Sequence, residues 1–280
     1  MSEPITPAER RNVDTLAKVW DPDTRIGDML QGLRGLVVGI ANKDSIAYGC
    51  AVKLRAFGAE VAVTYLNERA ERYVRPLAEQ LDARLILPLD VEQPGQMEAV
   101  FDRIGAEWGR LDFVVHSIAF APRADLHGRV VDCSLAGFQQ AMAVSCHSFI
   151  AMARLAEPLM THGGTLLTMS YYGADKVVNH YNIMGPVKAA LEATTRYMAA
   201  ELGDKGIRVF AVSPGPLMTR AASGIAAFDE LVDAAMARAP ARRLVDIAEV
   251  GRVVSFLVGG AASGMTGDTI YVDAGLHIMA

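Results

Sequence analysis

Cysteine is scarce: Cys50, Cys133 and Cys146 are the three in 280 residues, and no two share a C-x-x-C or other metal-ligand spacing. That excludes a disulfide-stapled scaffold and gives no metal site, leaving buried thiols in a reducing compartment as the simplest reading. No apolar run approaches the roughly 18 residues of a membrane helix, and the N-terminal residues lack the apolar core of a secretory signal. A cytoplasmic protein with no membrane partner is the expectation. Charge of one sign is also wanting, since the net value is −5, too mild for a polyanion-binding surface, so nucleic acid is not an expected partner. Internal repeats and low-complexity tracts are missing, which excludes solenoids and disordered linkers.

Apolar residues and glycine are plentiful instead: hydrophobic residues make up 51%, charged residues 21%, and there are 25 glycines, the composition of a buried sheet covered on both faces. Short apolar, β-branched runs at 36–40, 60–65, 85–91, 111–117, 165–169, 207–213 and 269–275 alternate with helical patterns at 97–108, 135–160, 187–202 and 246–257. The alternation predicts a single-domain α/β fold, a doubly wound Rossmann-type parallel sheet of about seven strands with helices on both faces. Residues 1–34 form an N-terminal extension with one amphipathic helix expected before the turn at Asp21-Pro22-Asp23, and residues 35–280 form the domain.

In such sheets ligands bind at the carboxyl edge of the strands. Three turns there carry chemistry. After the first strand, Gly39 lets backbone approach a phosphate, Ser45 offers a hydroxyl, and a helix starts near Ile46 with free N–H groups, together an anion site of dinucleotide type. Its spacing is not G-x-G-x-x-G, and glycine turns also join strands to helices for structural reasons alone. After the second strand comes Leu66-Asn67-Glu68-Arg69, where Asn67 suits a ribose hydroxyl and Arg69 a phosphate, so NADH and NADPH both remain open, with a lean to NADH. The third strand ends at Asp90 and Val91, placed to clasp adenine, Asp90 being equally suited to cap the turn before Glu92.

The fifth run delivers Ser170 and Tyr171 to the same edge, ahead of Tyr181 and Lys188. Seven residues turn an α-helix through roughly 700°, so both would share a face if the helix already included Tyr181. An ammonium beside a phenol lowers the phenol's pKa and favours proton or hydrogen-bond donation. A tyrosine and a lysine at this interval also arise by chance. Pro186 between them argues that regular helix begins near Gly185, with the proline in its first turn. His116, inside an apolar strand with no acid near in sequence, reads as a hydrogen-bonded structural histidine. Residues 217–225, small and apolar with no firm period, read as a lid.

Five motifs in order, Gly39 with Ser45-Ile46-Ala47-Tyr48-Gly49, His116-Ser117-Ile118-Ala119-Phe120-Ala121, Tyr171, Asn182-x-Met184-Gly185-x-x-Lys188, and Arg220-Ala221-Ala222-Ser223-Gly224-Ile225, resemble the NADH-dependent enoyl-acyl carrier protein reductases. That family is a divergent branch of the short-chain dehydrogenases, whose ordinary members carry Tyr-x-x-x-Lys. The likeness runs from about Gly35 to the C-terminus. It implies hydride transfer from NADH to the β-carbon of a trans-2-enoyl thioester in fatty acid synthesis, with the thioester on acyl carrier protein, and a homotetramer. A phenol displaced along the chain is suited to the distant thioester oxygen, where charge develops.

By the same resemblance Tyr181 donates to the enolate oxygen, Lys188 holds the nicotinamide ribose, and Tyr171 gates or orients the acyl chain. Gly39, Ser45, Ile46, Leu66, Asp90, Val91, Ile118, Leu217, Met218, Thr219, Arg220 and Ala221 fall at cofactor positions and Ala121 at a substrate position, with no metal. Ala119 stands where part of the family has glycine, narrowing the space beside the nicotinamide. Two other readings stand beside this one: a short-chain dehydrogenase acting on another enoyl or carbonyl substrate, and a protein that senses the cofactor without turnover.

Overall fold

Consecutive residues of a strand face opposite ways, and here both ways are apolar. Val37 and Leu36, Val63 and Ala62, Val115 and Val114, Leu167 and Leu166, Phe210 and Val209 each divide between two buried cores. In the computed structural model, which describes residues 29–217, 219 and 228–279, these pairs lie on β1 (Arg34–Val38), β2 (Glu60–Tyr65), β4 (Phe113–His116), β5 (Gly164–Met169) and β6 (Ile207–Pro214). With β3 (Leu85–Pro88) and β7 (Thr269–Val272) they form one parallel sheet of order β3-β2-β1-β4-β5-β6-β7. The direction of winding reverses between β1 and β4, which opens a crevice at the carboxyl edge. The expected doubly wound sheet is thus present.

Helices α1 (Ile46–Ala56) and α2 (Glu68–Gln80) supply Leu54 and Val74 to one core, and α3 (Gln96–Trp108) supplies Phe101 and Ile104 to the other. A short α4 (Arg123–His127) leads to α5 (Leu135–Met142), a π-helical insert over Ala143–His147, and α6 (Ser148–Ala156). The continuous helix expected over 135–160 is therefore interrupted. Helix α7 (Met184–Leu202) follows β5, and α8 (Phe228–Arg238) and α9 (Ile247–Val258) precede β7. Asp246 starts α9 with a capping box: it accepts from Glu249 N–H at 2.7 Å, while Glu249 accepts from Asp246 N–H at 3.0 Å.

Boundaries moved at every strand but β2, by a single residue at β5 and β6. β1 starts at Arg34, because Arg34 N–H donates to the Asp112 carboxylate and its residue pairs with Glu60. Leu30 is fully buried and bonds the Phe57 carbonyl, so the packed body begins upstream of residue 35. β3 ends at Pro88, where a residue without N–H closes the ladder, and Asp90 and Val91 lie in the turn beyond. β4 and β7 are likewise shorter than their apolar runs. The expected N-terminal helix, and most of the expected lid at 217–225, lie outside the described residues.

Candidate active site

Backbone crowding sets the first turn. Gly39 follows β1 at φ 108°, and a Cβ there would fall 2.1 Å from the Ser117 carbonyl oxygen at the end of β4. Only glycine tolerates both conditions. Ser45, expected to offer a free hydroxyl, is instead committed: its oxygen accepts from Ala41 and Asn42 N–H at 3.0 Å each and it donates to the Asn42 side chain. It shapes the loop rather than extending from it. Ile46 opens α1 and lines a cavity at the carboxyl edge.

That cavity, of about 220 Å³, lies at the carboxyl edge of β4, β5 and β6. Of the expected residues it gathers Ile46, Ile118, Ala121 and Leu217, with Thr219 at its rim. Tyr171, Tyr181 and Lys188 line it too, so the three expected catalytic side chains share one space. Gly39, Ser45, Leu66, Asp90 and Val91 are not among its lining; they sit along the same edge over β1, β2 and β3. Four inter-strand intervals separate β3 from β5, roughly 19 Å, a crevice for an extended ligand. Leu66 is 55% exposed, Asn67 uses its carbonyl to cap α2, and Asp90 accepts from Glu92 N–H, the capping role. Met218, Arg220 and Ala221 lie outside the described residues.

Tyr181 precedes its helix. His180 and Asn182 flank it at φ 65° and 45°, left-handed values that non-glycine residues seldom adopt, and the Asn182 amide donates to the Leu126 carbonyl at 2.8 Å. This strained turn, not a shared helix face, brings Tyr181 to the cavity with Lys188. α7 begins at Met184 with Pro186 third, in the first turn, where a missing N–H costs no intrahelical bond. Gly173 leaves room for the Tyr181 ring, since a Cβ there would stand 2.6 Å from it. The Tyr171 and Tyr181 rings meet edge-on, centroids 4.9 Å apart.

Electrostatics correct one expectation. Burial, followed by the nearby Glu192 charge, pushes the Tyr181 phenol up rather than down. Burial does the same to Tyr171, reinforced by Tyr172 and Tyr181, and its hydroxyl is buried with no hydrogen-bond partner among the described residues. Both phenols therefore stay neutral and keep an O–H proton to donate. Lys188 donates to the Met169 carbonyl at 2.6 Å, and burial brings it down to about 8, with Cys146 and Glu192 opposing that fall. His116 is fully buried between Thr168 and Ser148, bonded at 2.9 and 2.8 Å, and burial holds it down to about 3. It is a neutral structural group, as its strand suggested.

The glycine cradle beside β4 and the unpartnered phenol in the cavity together fit a dinucleotide running to a small planar substrate. A family model described as "Enoyl-(Acyl carrier protein) reductase" matches residues 39–277. The chain belongs to the enoyl-(acyl carrier protein) reductase family. It is 44% identical over 249 residues to "Enoyl-[acyl-carrier-protein] reductase [NADH] 1" of Rhizobium meliloti, covering 89% of this chain and 92% of that one. A crystal structure of the Anaplasma phagocytophilum reductase in complex with NAD has TM-score 0.88 and 45% identity, covering 92% of this chain and 98% of that chain. The Bacillus cereus reductase with NADP+ and indole naphthyridinone has TM-score 0.88 and 44% identity, covering 90% and 99%.

Sequence reading missed several supports of this family's cavity. Ser145, in the π-helical insert, accepts from Phe120 N–H at 2.9 Å and donates to the Phe120 carbonyl at 3.1 Å, pinning the loop after β4. Glu192 accepts from the Ser170 hydroxyl at 2.5 Å. Neither residue has a local pattern that marks it; only a π-bulge and a strand-to-helix contact, both tertiary, bring them in.

Proposed function

We propose that this chain reduces the α,β double bond of an enoyl thioester with NADH, Tyr181 and Lys188 carrying the site. The convergence of Tyr171, Tyr181 and Lys188 on one cavity beside the Gly39 turn carries the reading. Gly39, Ile46 and Ile118 would hold the dinucleotide along the edge, with Asp90 and Val91 toward its adenine, Leu66 beside the adenosine ribose, and Leu217 and Thr219 toward the nicotinamide; Ser45 shapes the turn. Bound NADH supplies the hydride. Lys188 holds the ribose hydroxyls as an ammonium. Tyr181, neutral because burial keeps its proton on, donates to the thioester oxygen where enolate charge gathers. An oxyanion donor of this kind lowers the barrier by roughly 3 kcal/mol. Tyr171, unbonded and edge-on to Tyr181, orients the acyl chain, and Ala121 lines its path. The proton that completes the α-carbon comes from solvent.

NADH is the cofactor that the names of the relatives support, although the bound NADP+ of the Bacillus cereus protein and the exposed Arg69 beside β2 keep NADPH as a second donor to assay. An acyl carrier protein thioester is the substrate those names support. A homotetramer belongs to the same proposal, supported by Val131, Leu135 and Tyr197, apolar side chains each more than 70% exposed. So does a cytoplasmic location, in keeping with the three free thiols. Among the described residues no helix is long and apolar enough to cross a membrane.

The test follows NADH loss at its absorbance with a crotonyl thioester. Consumption is expected for wild type. Tyr181→Phe should bind NADH unchanged and lose roughly 10²–10³-fold in kcat. Reduction of ketones with no enoyl thioester consumed would favour the other dehydrogenase reading, and unchanged kcat in Tyr181→Phe would place the oxyanion donor elsewhere.

A further inference from the structure

Helix α7 reaches the end of β5 twice. Lys188 donates to the Met169 carbonyl at 2.6 Å, and Glu192, one turn later on the same face, accepts from the Ser170 hydroxyl at 2.5 Å. Ser170 N–H also bonds the Val212 carbonyl of β6 at 2.7 Å. The two residues just before Tyr171, one by its carbonyl and one by its hydroxyl, are thus fastened by two side chains of opposite charge, both buried, with Lys188 5% and Glu192 9% exposed. An unpaired charge is costly to bury, so each needs its partners.

We propose that Glu192 is a positioning residue: it fixes Ser170, and with it the approach of Tyr171, and its carboxylate, one helical turn from Lys188 on the same face, adds to the negative charge that helps keep this buried amine an ammonium. The proposal rests on the reading of Lys188 as the residue that holds the cofactor ribose. Other groups face the pair. His116 from β4 is neutral above about pH 3, Cys146 comes from the π-helical insert, and Tyr181 lies across the cavity. Around Glu192 stand Arg196 on its own helix, Thr269 and Tyr271 of β7, and Asp175 after β5. Burial raises the Glu192 carboxyl, and the hydroxyls of Ser170 and Thr269 pull it back. Lys188, brought down to about 8, sits close enough to working pH that losing one neighbouring anion changes its charge.

The experiment is NADH binding without substrate, followed by nicotinamide fluorescence between about pH 6 and pH 10, a range that spans Lys188's shifted value. Wild type should lose affinity on an alkaline limb. Glu192→Gln keeps an acceptor for Ser170 but not the charge, and should move that limb down by roughly one pH unit. The same displacement is expected in a Cys146→Ala background, which removes the other side chain that opposes the fall at Lys188. Ser170→Ala keeps the charge, and should leave the limb in place while lowering kcat. Glu192→Asp should bring the limb back toward wild type. A limb shared by wild type and Glu192→Gln overturns the proposal, as does an equal displacement in Ser170→Ala. Lys188→Gln separates the two levels. If it weakens NADH binding and abolishes the limb while Glu192→Gln leaves it unmoved, only the Glu192 assignment fails. If it binds NADH as wild type with the same limb, the reading of Lys188 fails and takes the assignment with it.

Discussion

His116 shows how one residue's environment overrides its side-chain chemistry. A histidine one step from the cavity loop invites a base, yet its two nitrogens are spent on Thr168 and Ser148 and burial holds it down to about 3. The unfolded chain titrates near 6.5, so the neutral imidazole contributes stability that is whole above that pH and is lost as pH falls from there toward 3. The difference is on the order of 5 kcal/mol at the acid end. His116→Gln should therefore be less stable at neutral pH but show a shallower fall in Tm between about pH 6.5 and pH 4 than wild type. Parallel profiles in differential scanning calorimetry would assign the acid sensitivity to other groups. Tyr181 was legible as a candidate from its order relative to Lys188, but its protonation was not: spacing placed a cation nearby, whereas burial, which spacing does not report, decides that the phenol is neutral.

Two elements meet where side chains would not fit. α1 and α9 cross at Gly49 and Gly251: a Cβ on Gly251 would lie 2.4 Å from the Gly49 carbonyl oxygen, and one on Gly49 would lie 2.5 Å from that of Ile247. Both obstacles are backbone, which cannot rotate away. Gly251→Ala should cost roughly 1–3 kcal/mol in urea unfolding, toward the upper end, and weaken NADH binding because α1 carries Ile46 and the loop shaped by Ser45. Full stability in the variant would mean that the helices can separate freely. The start of α7 was predictable within one residue, since proline is admitted only to a first turn. The break between α5 and α6 was not, because Ala143–His147 holds no glycine or proline to mark it, and the insert is revealed by the bonds Ser145 makes to Phe120.

Among the described residues, the sheet is sandwiched by two buried cores, and the cavity lies at its carboxyl edge. A ligand there would touch the start of α1 and the ends of β4, β5 and β6 at once and should stabilise the fold as a unit. NADH at 100 times its Kd is expected to add about 2.7 kcal/mol, read as a rise in Tm. NADPH at the same concentration should raise Tm less, in line with Leu66 and the capping role of Asn67 beside β2. An equal or larger rise with NADPH would reverse the cofactor preference.

The sequence by itself determined the sheet, its seven strands and the turns that leave its carboxyl edge, because apolar runs, glycines and prolines act through local geometry. It also set the order of motifs by which the family is recognised. Only the tertiary structure decided which of those residues share a cavity and in what charge state. Tyr181 and Lys188 are joined by a strained turn rather than a helix face, Ser45 is turned inward, and Glu192 is brought under Ser170. The physical reason is common to all three: desolvation and long-range contact depend on what packs around a group, and neighbours in space are not neighbours in the chain.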